Sequence, residues 1–376
     1  MDIAFVSNVV YPFVTGGAQK RIHEVGTRLV DRGHSVTVYG RHFWDGPEET
    51  IHEGMTLRAV SPAREIYNDE RRSITEALEF AVDVLVPLWR NIESHDVVVA
   101  SVFPYFPVLA CLPSTTLRGT PLVTTWHEVW GDYWKEYLGT LGPLGQTVEY
   151  LTANSPQHPV AVSEVTAERL SELGPDRDRI RSIPNGIDYE QIRDIEPVSD
   201  GFDVLFAGRL IEEKRVDDLL IAFDQIAPPD TTLGIIGEGP KKKALERQAS
   251  TLDSSSQITF LGFLDEYEDV LAHMQAADIF ASPSTREGFG ITYAEAMAAD
   301  CTVIGADHSE SAADEVIQDG GFLVEPNTAE LATVLEDAIA GHSPAGQPRL
   351  VAQDFDWDQV ASLAEETYQA AARDEW

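Results

Sequence analysis

Short runs of β-branched and apolar residues alternate along the chain with longer segments of helical period. The first run is residues 2–7 (DIAFVS), a helix is predicted from about Ala18 to Asp31, and the next run is 35–40 (SVTVYG). Further strand-like runs of the first half are 96–101, 121–127 and 159–163. Strands joined by helical crossovers lie parallel in one sheet. The first half is therefore predicted to be a doubly wound α/β sheet.

The same pattern is interrupted at residues 184–186 (PNG), which form a turn, and then starts again. The second set of strand-like runs is 203–208, 232–239, 258–262, 278–284 and 301–306. The pattern therefore predicts two α/β domains, residues 1–186 and 187–355, followed by an amphipathic terminal helix at 356–376. Two open sheets in tandem leave a cleft, and ligands of such sheets bind beyond the carboxyl ends of the strands. The functional residues are therefore expected in the loops that follow strands.

The charge of the chain narrows the classes of function. Its 376 residues include 63 acidic and 27 basic ones, and the formal net charge is −36. This excess repels phosphate backbones and argues against nucleic acid as a partner. The acids are spread over all segments, which is typical of a protein adapted to high salt and predicts a halophilic host. Residues 1–185 (16 basic, 24 acidic) are less acidic than 186–376 (11 basic, 39 acidic), so the first half is the one that can approach an anionic membrane.

Cysteine usage and the apolar segments predict a cytoplasmic protein. Cys111 and Cys301 have no metal-ligand spacing and lie in apolar surroundings, so they are predicted to be buried free thiols. The first ten residues read as a strand and have no signal-peptide pattern. The uncharged stretch 97–117 contains three prolines, and its continuous apolar pieces are too short to span a bilayer. A buried strand followed by a short helix is predicted there.

The loop at residues 284–300 carries the strongest chemical pattern. Glu287 and Glu295 are eight residues apart, with Gly288 and Gly290 between them, where the chain leaves a strand and enters a helix. Glycines at a helix N-terminus let backbone N–H groups approach phosphate oxygens, and Glu295 can accept hydrogen bonds from a sugar diol. The alternative is a capping box, in which Glu295 and the threonine three residues before it only stabilise the helix start.

A second pattern follows the strand at 203–208. Gly208 and Arg209 end that strand, and Lys214 comes five residues later. A planar guanidinium and a mobile ammonium suit two adjacent phosphates. The alternative is an ordinary helix start with exposed cations balanced by neighbouring acids. Because the chain has only six lysines, the position of this one is informative.

Several weaker candidates have an ordinary structural interpretation beside the functional one. Gly16 and Gly17 follow the first strand, where a flexible loop can close over phosphate, but a bare glycine pair is usually a plain loop. His127 ends a strand, and a lone histidine is more often structural than catalytic. Ser163 is predicted to cap a helix. An aromatic group could form a platform for the acceptor or could belong to the core; it consists of Trp126, Trp130, Tyr133 and Trp134. A run of three lysines is predicted to balance surface acids; it consists of Lys241, Lys242 and Lys243.

Taken together, three segments closely resemble the donor-binding half of the retaining glycosyltransferases of family 4, which have the two-domain GT-B fold. They are GRLIEEK (208–214), IGEGP (236–240) and SPSTREGFGITYAEAMA (282–298). The spacing E-x7-E of Glu287 and Glu295 matches that of the family. The resemblance extends to residues 6–40, to IPNGID at 183–188 and to the terminal helix, so it covers most of the chain.

The resemblance implies an N-terminal acceptor domain, a C-terminal donor domain and a terminal helix, residues 356–376, that packs back on the N-terminal domain. It also implies a role for each candidate residue. Arg209 and Lys214 would neutralise the donor diphosphate, Glu287 would lie beside the donor sugar, and Glu295 would bind the ribose. His127 would contact the donor sugar or the reacting centre. The implied catalytic residues are thus Arg209, Lys214, Glu287 and His127. The implied donor-binding residues are Gly16, Gly17, Gly208, Gly237, Glu238, Gly288, Phe289, Gly290, Ile291 and Glu295.

The implied reaction is glycosyl transfer with retention of configuration, from a UDP- or GDP-linked sugar to a glycan, lipid-linked or small-molecule acceptor. No metal ion is expected, since no cluster of ligand-type residues has metal-site spacing and no D-x-D pair follows a strand. Two alternatives remain open. The first is another enzyme of this fold: a nucleotide-sugar epimerase would lack the loop at 284–300, and a phosphorylase would need a cofactor lysine or a free-phosphate pocket, neither of which the sequence shows. The second is a non-catalytic sugar-binding or scaffold protein, which would not need Arg209, Lys214 and Glu287. Peripheral membrane contact through the N-terminal domain is a further hypothesis.

Overall fold

A computed structural model of the chain describes residues 1–14, 16–65, 67–68, 71–226 and 228–376. Contacts between these residues divide the chain into two compact units. The first unit is Met1–Pro184 with Trp357–Trp376, and the second is Asn185–Asp356. Each unit has a parallel sheet of its own. None of the described helices has the length and apolar character needed to cross a bilayer.

The first unit is built on an eight-stranded sheet of order β10-β9-β8-β7-β1-β2-β4-β3. All its pairs are parallel except β3 with β4, which form an antiparallel hairpin. The described strands of this unit, including the separate β5–β6 pair, are β1 Asp2–Val6, β2 Ser35–His42, β3 Glu49–His52, β4 Met55–Pro62, β5 Tyr67–Asn68, β6 Arg71–Arg72, β7 Val97–Ser101, β8 Leu122–Trp126, β9 His158–Ala161 and β10 Arg181–Ser182.

Helices cover both faces of this first sheet, as a fully buried parallel sheet requires. They are α1 Gly17–Asp31, α2 Ile74–Asn91, α3 Phe106–Arg118, α4 Tyr133–Leu138, α5 Gly142–Ala153 and α6 Glu164–Glu172, with short 3₁₀ turns at Ile92–Ser94, Gly139–Leu141 and Arg177–Arg179. The last helix of the chain, Trp357–Ala372, also belongs to this unit and packs on α1. Its buried side chains Trp357, Val360 and Tyr368 join the apolar core around Ile3 and Phe5.

The second unit has a six-stranded, all-parallel sheet of order β13-β12-β11-β14-β15-β16. Its strands are β11 Val204–Ala207, β12 Leu233–Ile236, β13 Ile258–Gly262, β14 Ile279–Ser282, β15 Thr302–Ala306 and β16 Gly321–Val324. Its helices are α7 Tyr189–Asp194, α8 Val216–Ile226, α9 Lys242–Ala249, α10 Tyr267–Ala276, α11 Ile291–Ala298, α12 Ala313–Ile317, α13 Thr328–Ile339 and α14 Pro348–Gln353. Short 3₁₀ turns lie at Glu212–Lys214 and Ser255–Gln257. The terminal helix of the first unit, Trp357–Ala372, is α15.

The two parallel α/β sheets predicted from the hydrophobic pattern are confirmed. Every strand-like run identified in the sequence contains a strand, and the uncharged stretch 97–117 forms β7 and most of α3. Cys111 and Cys301 are buried free thiols, and burial raises the pKa of each to about 12. The sequence did not reveal the β3–β4 hairpin. It also did not reveal strand β16, which has only four residues, Gly321–Val324, and follows an aspartate and a glycine.

Candidate functional site

The order of strands in the second unit fixes where its ligand site lies. Strands β11 and β14 are neighbours, but from β11 the chain continues to one side of the sheet and from β14 to the other. The loops that follow these two strands therefore diverge and leave a crevice at the carboxyl edge of the sheet. Those loops are residues 208–215 and 283–290. They contain Arg209, Lys214 and Glu287, which the sequence analysis singled out.

Lys214 and Glu287 form an ion pair at this crevice. The ammonium of Lys214 donates a hydrogen bond to Oε1 of Glu287, and the two side chains are 18% and 11% exposed. The backbones of the two loops are also joined, because the N–H of Thr285 donates to the carbonyl of Glu213 at 2.9 Å. The pair is therefore held by the loops and does not depend on two free side chains meeting in solvent.

The backbone of Glu287 is fixed on its other side as well. Its N–H donates to the carbonyl of Glu310 at 3.2 Å, and its carbonyl accepts from the N–H of Ala312 at 3.0 Å. Both partners follow strand β15. Three loops at one edge of the sheet thus set the position of one carboxylate, as the preorganisation of a site requires.

Arg209 is the second cation at this edge. Its side chain is exposed and makes no ion pair or hydrogen bond to any residue in the described part of the chain. Gly208 lies between the strand and Arg209, and a Cβ at Gly208 would come within 4.0 Å of Cε of Lys214. The lysine side chain therefore passes over this glycine. One cation is held by a carboxylate, and the other is available to an anionic ligand.

The turn after β12 packs tightly on the loop after β11. Gly237 has φ +138°, and a Cβ at this position would lie 1.9 Å from the carbonyl oxygen of Gly208. Only glycine fits such a close approach of two backbones. Glu238 is exposed and pairs with Lys242, while Lys241 pairs with Glu212 at 2.7 Å. Lys241 and Lys242 thus balance surface acids, as predicted.

Helix α11 starts at the second half of the Glu287 loop. Its N-cap is Gly290, at φ +83°, where a Cβ would lie 2.6 Å from the ring of Tyr293. The ring of Phe289 is buried and packs edge-on against Phe355 with centroids 5.4 Å apart. The side chain of Phe289 thus packs in the core. The backbone of Phe289 lies at the crevice, together with the backbone of Gly288 and of Ile291, the first residue of α11.

The capping-box interpretation of Glu295 is wrong. Because the cap is Gly290, Thr292 already lies inside the helix and cannot cap it. Glu295 is buried, and its Oε2 accepts a hydrogen bond from the hydroxyl of Tyr267 at 2.6 Å. Burial and the neighbouring carboxylate raise the pKa of Tyr267 well above its usual value, so this residue stays a donor. No sequence pattern pointed to Tyr267, which is the first residue of helix α10.

His127 follows strand β8 at the carboxyl edge of the first unit's sheet. Burial and, to a lesser extent, the positive charge of Arg21 lower its pKa to about 3. Its Nε2 is buried and has no hydrogen-bond partner among the described residues. A neutral imidazole can donate or accept one hydrogen bond but cannot act as a general acid near pH 7. Arg21, which the sequence analysis missed, is buried in α1 and donates to the carbonyls of Ile183, at 3.2 Å, and Pro184.

Gly16 and Gly17 also lie at this edge of the first unit, after β1. Both are exposed, and Gly17 is the first residue of α1. A Cβ added to Gly17 would meet nothing within 4 Å, and one at Gly16 would meet only the flexible side chain of Gln19. The first turn of α1 has no acidic residue. Packing within the unit therefore does not require glycine at position 17.

The aromatic group after β8 divides between core and surface. Trp126 is fully buried and Trp134 nearly so, whereas Trp130 and Tyr133 are partly exposed. The indole N–H of Trp130 donates to Glu128 at 3.0 Å. The core interpretation is thus confirmed for Trp126 and Trp134, and an acceptor platform stays a prediction for Trp130 and Tyr133. Ser163 caps helix α6, as predicted, by accepting from the N–H of Thr166 at 3.1 Å.

The structure also brings together residues that the sequence did not connect. Ligand-type atoms of His23, His52 and Glu53 lie within 4.8 Å of one another, near the start of α1 and the β3–β4 turn. Nε2 of His23 lies 3.2 Å from Oε2 of Glu53, and because burial lowers the pKa of His23 this contact is an ion pair only when the imidazole is protonated. Because His23 lies 29 residues before His52 in the sequence, no metal-site spacing was visible.

Comparison with known proteins decides the family. Residues 15–191 match the glycosyltransferase family 4 and residues 188–344 match the glycosyl transferases group 1. The chain belongs to the glycosyltransferases of family 4. The resemblance noted from the three donor-half segments is thereby confirmed.

Similar proteins over the whole length are also glycosyltransferases. The chain is 28% identical to a glycogen synthase of Mycobacterium tuberculosis over 408 residues, covering 100% of this chain and 96% of that protein. It is 28% identical to a phosphatidyl-myo-inositol mannosyltransferase of the same species over 386 residues, covering 96% and 94%. This family 4 protein is therefore an enzyme of the hexosyltransferase class, EC 2.4.

Solved structures with the same fold cover nearly all of this family 4 chain. A sucrose-phosphate synthase from Thermosynechococcus elongatus has a TM-score of 0.74 at 18% identity, covering 98% of each chain. HepE from Anabaena, in complex with UDP-glucose, has a TM-score of 0.72 at 21% identity, covering 98% of this chain and 100% of that one. The GT-B fold implied by the resemblance is confirmed.

Proposed function

We propose that this glycosyltransferase moves a hexose from a nucleoside diphosphate sugar to a glycan or lipid-linked acceptor, with retention of configuration and without a metal ion. The observation that carries the proposal is the Lys214–Glu287 pair beside Arg209 at the topological switch point of the second unit. A crevice at this position with two cations on its loops suits a diphosphate.

Named relatives support a nucleotide-sugar donor. HepE is described in complex with UDP-glucose. A GDP-mannose-dependent mannosyltransferase of Corynebacterium glutamicum is 30% identical to this chain over 260 residues, covering 62% of this chain and 65% of that protein. One of these proteins is named with a UDP-linked sugar and the other with a GDP-linked sugar. They therefore support a nucleoside diphosphate sugar as donor but do not show whether its base is uracil or guanine.

Arg209 and Lys214 would supply the main catalytic effect. As the bond between the anomeric carbon and the diphosphate oxygen breaks, negative charge grows on the leaving phosphate, and fixed cations there lower the barrier. Arg209 is free to bind a phosphate in bidentate fashion, whereas Lys214 is oriented by Glu287. Two such cations provide the charge that a divalent ion provides in other transferases.

Other residues would hold the sugar and the nucleoside. The backbone of Gly288–Gly290 at the start of α11 presents N–H groups for a phosphate or a hydroxyl. The buried carboxylate of Glu295, oriented by Tyr267, suits the two hydroxyls of a ribose. His127, neutral because of its low pKa, would accept from or donate to a sugar hydroxyl.

The first test of the proposal is a reaction in the presence of EDTA. Purified protein in molar KCl is incubated with UDP-, GDP- or ADP-linked hexoses and a membrane-lipid extract, and release of nucleoside diphosphate is measured. One nucleotide sugar should be turned over with EDTA present, and NMR should show the donor's anomeric configuration in the product. Turnover that stops with EDTA and returns with Mg²⁺ would reject metal independence. Isomerised donor without transfer would identify an epimerase.

A further inference from the structure

The first unit contains an apolar cavity of about 370 Å³. It lies between the start of α2, the turn after β7, and helices α4 and α5. Its wall includes Phe103, Phe106, Trp134, Tyr137, Leu141 and Leu144, and no charged side chain lines it among the described residues. The volume is within the range of ligand pockets. A wall of this composition suits a hydrocarbon chain and offers little to a sugar ring.

The wall is formed before any ligand binds. Phe103 has φ +83°, a backbone region that a residue with a side chain rarely adopts, and its ring lies 4.3 Å from that of Trp130 between centroids. The hydroxyl of Tyr105 donates to the buried carboxylate of Glu149 at 2.8 Å, which also accepts from two backbone N–H groups. These contacts hold the aromatic side chains in place and leave the space between them open.

An exposed apolar face of helix α2 adjoins the cavity. The face consists of Ile74, Leu78, Val82, Val86 and Trp89, which repeat at helical spacing, and Val82 is 65% exposed. Ile74 also lines the cavity. A continuous apolar strip on the surface of a charged protein marks an interaction site.

The acids of α2 have partners within the first unit, including Glu79, whose side chain is 36% exposed and pairs with Arg64 at 3.0 Å. Glu76 and Glu79 pair with Arg41, which lies on β2, and Asp83 accepts from Ser61 on β4 at 2.5 Å. Arg90, near the end of α2, is exposed. In a chain of net charge −36, such a face can approach an anionic bilayer without being repelled. A row of apolar side chains with Trp89 and Arg90 at one end matches an interfacial helix.

The cavity also lies at the edge of the sheet where the chemistry is expected. Phe103 follows β7 and Trp134 follows β8, and these strands are parallel neighbours. His127 follows β8 as well. A chain bound in the cavity would therefore have its polar end at the same edge of the first unit's sheet as His127.

We propose that the cavity binds the hydrocarbon chain of a membrane lipid that serves as acceptor, while the apolar face of α2 rests on the bilayer. This inference rests on the proposed function in so far as it names the acceptor. It selects a lipid-linked acceptor over a free glycan. The α2 face is one helix wide, which is narrow for a stable interface between two copies of the chain.

The cavity is tested with 11-(dansylamino)undecanoic acid, a fluorescent fatty acid, in molar KCl. Excitation of the tryptophans should give saturable energy transfer to the dansyl group, because Trp134 lines the cavity. Leu144→Glu places a charge on the exposed rim and should raise Kd at least tenfold. Leu350→Glu changes a similarly exposed leucine of the second unit and should leave Kd unchanged. With unlabelled fatty acids as competitors, Kd should fall about fourfold per added methylene until the chain outgrows the cavity.

The membrane face is tested by flotation with phosphatidylglycerol vesicles. Val82→Glu should abolish flotation and Ile51→Glu, at an exposed site on β3, should not. Three results would each overturn the proposal. They are equal Kd values for Leu144→Glu and Leu350→Glu, equal flotation of Val82→Glu and Ile51→Glu, and a dimer that Val82→Glu dissociates. Nucleoside diphosphate binding, measured by thermal shift, should be the same in all four variants. If the wild type does not bind a nucleoside diphosphate, the proposed function is rejected. The fatty-acid and flotation results still decide whether the cavity binds a hydrocarbon chain and whether α2 contacts the bilayer.

Discussion

Lys214 and Glu287 are 73 residues apart in the sequence and form a hydrogen-bonded ion pair at the carboxyl edge of the second unit's sheet. Strands β11 and β14, which lie next to each other, deliver the two loops that carry them. The pair orients the lysine beside Gly208 and leaves Arg209 to the ligand. Four residues separate Lys214 from Arg209, so one short loop supplies both cations.

Removing the ammonium of Lys214 should strongly reduce turnover. We expect Lys214→Ala to lower kcat by about 10²- to 10³-fold, the usual cost of removing one donor that stabilises transition-state charge. The same change leaves the carboxylate of Glu287 without its cation and should cost about 1–2 kcal/mol of stability. Urea unfolding separates the two effects. Lys243→Ala, at an exposed lysine, is the control and should change neither quantity. Unchanged turnover of Lys214→Ala would contradict the role assigned to it.

Arg209 should affect binding of the diphosphate and not stability. Because its side chain has no partner in the described structure, Arg209→Ala should leave the free energy of unfolding within about 0.5 kcal/mol of the wild-type value. The affinity for the nucleoside diphosphate should fall about tenfold or more, since a charge-assisted hydrogen bond is lost. Arg209→Lys should restore part of that affinity. Isothermal titration gives both values, and an equal affinity of wild type and Arg209→Ala would exclude a phosphate contact.

Two glycines should respond to alanine in opposite ways. Gly237→Ala should destabilise the second unit by several kcal/mol or prevent its folding, because its Cβ would lie 1.9 Å from a carbonyl oxygen. Gly17→Ala has open space and should not lower the unfolding midpoint. If the backbone of this loop approaches the donor phosphate, Gly17→Ala should still raise KM for the nucleotide sugar. A wild-type KM would show that the glycine pair is a plain loop.

His127 should make the stability of the protein depend on pH. Its pKa is about 3 in the folded chain and near 6.5 unfolded, so the unfolded state binds more protons between these values. Stability therefore falls as the pH drops below 6.5 and is unaffected by this group at higher pH. Between pH 7.5 and pH 5 the loss from His127 alone should be about 2 kcal/mol. Urea unfolding of wild type and His127→Asn at both pH values isolates this contribution from that of the other histidines. The same loss in both proteins would refute the depressed pKa.

The acidic surface predicts that salt stabilises the fold. At a net charge of −36, added KCl screens repulsion between like charges, so the unfolding midpoint should rise between 0.2 and 2 M KCl. Calorimetry at both concentrations measures the rise, and 2 M sorbitol serves as an uncharged comparison. A midpoint that rises no more in KCl than in sorbitol would contradict adaptation to high salt.

Much of the fold was predictable because buried parallel strands leave a plain signal. Runs such as residues 203–208 and 301–306 are almost wholly apolar and are bounded by polar turns. The β3–β4 hairpin was not predicted, since Glu49–His52 carries exposed polar residues at an edge of the sheet and has no apolar face to reveal it.

The candidate site was predictable only where a motif and its strand lie together in the sequence. Arg209 and Glu287 each follow a strand closely, so their loops could be named. The partner of Glu295 could not, because Tyr267 reaches it from a different helix. The sequence could not exclude the alternative of a capping box, because the N-cap depends on the left-handed backbone of Gly290, which the sequence pattern alone does not show. Arg21 and the apolar cavity depend on packing between distant segments.

The most direct test of the account is isothermal titration of UDP, GDP and ADP into the protein in molar KCl with EDTA. We predict that one of the three binds the wild type in the absence of divalent metal, and that the double variant Arg209→Ala with Lys214→Ala does not bind it. No binding of any of the three, or equal binding by wild type and double variant, would contradict a diphosphate site at the Lys214–Glu287 crevice.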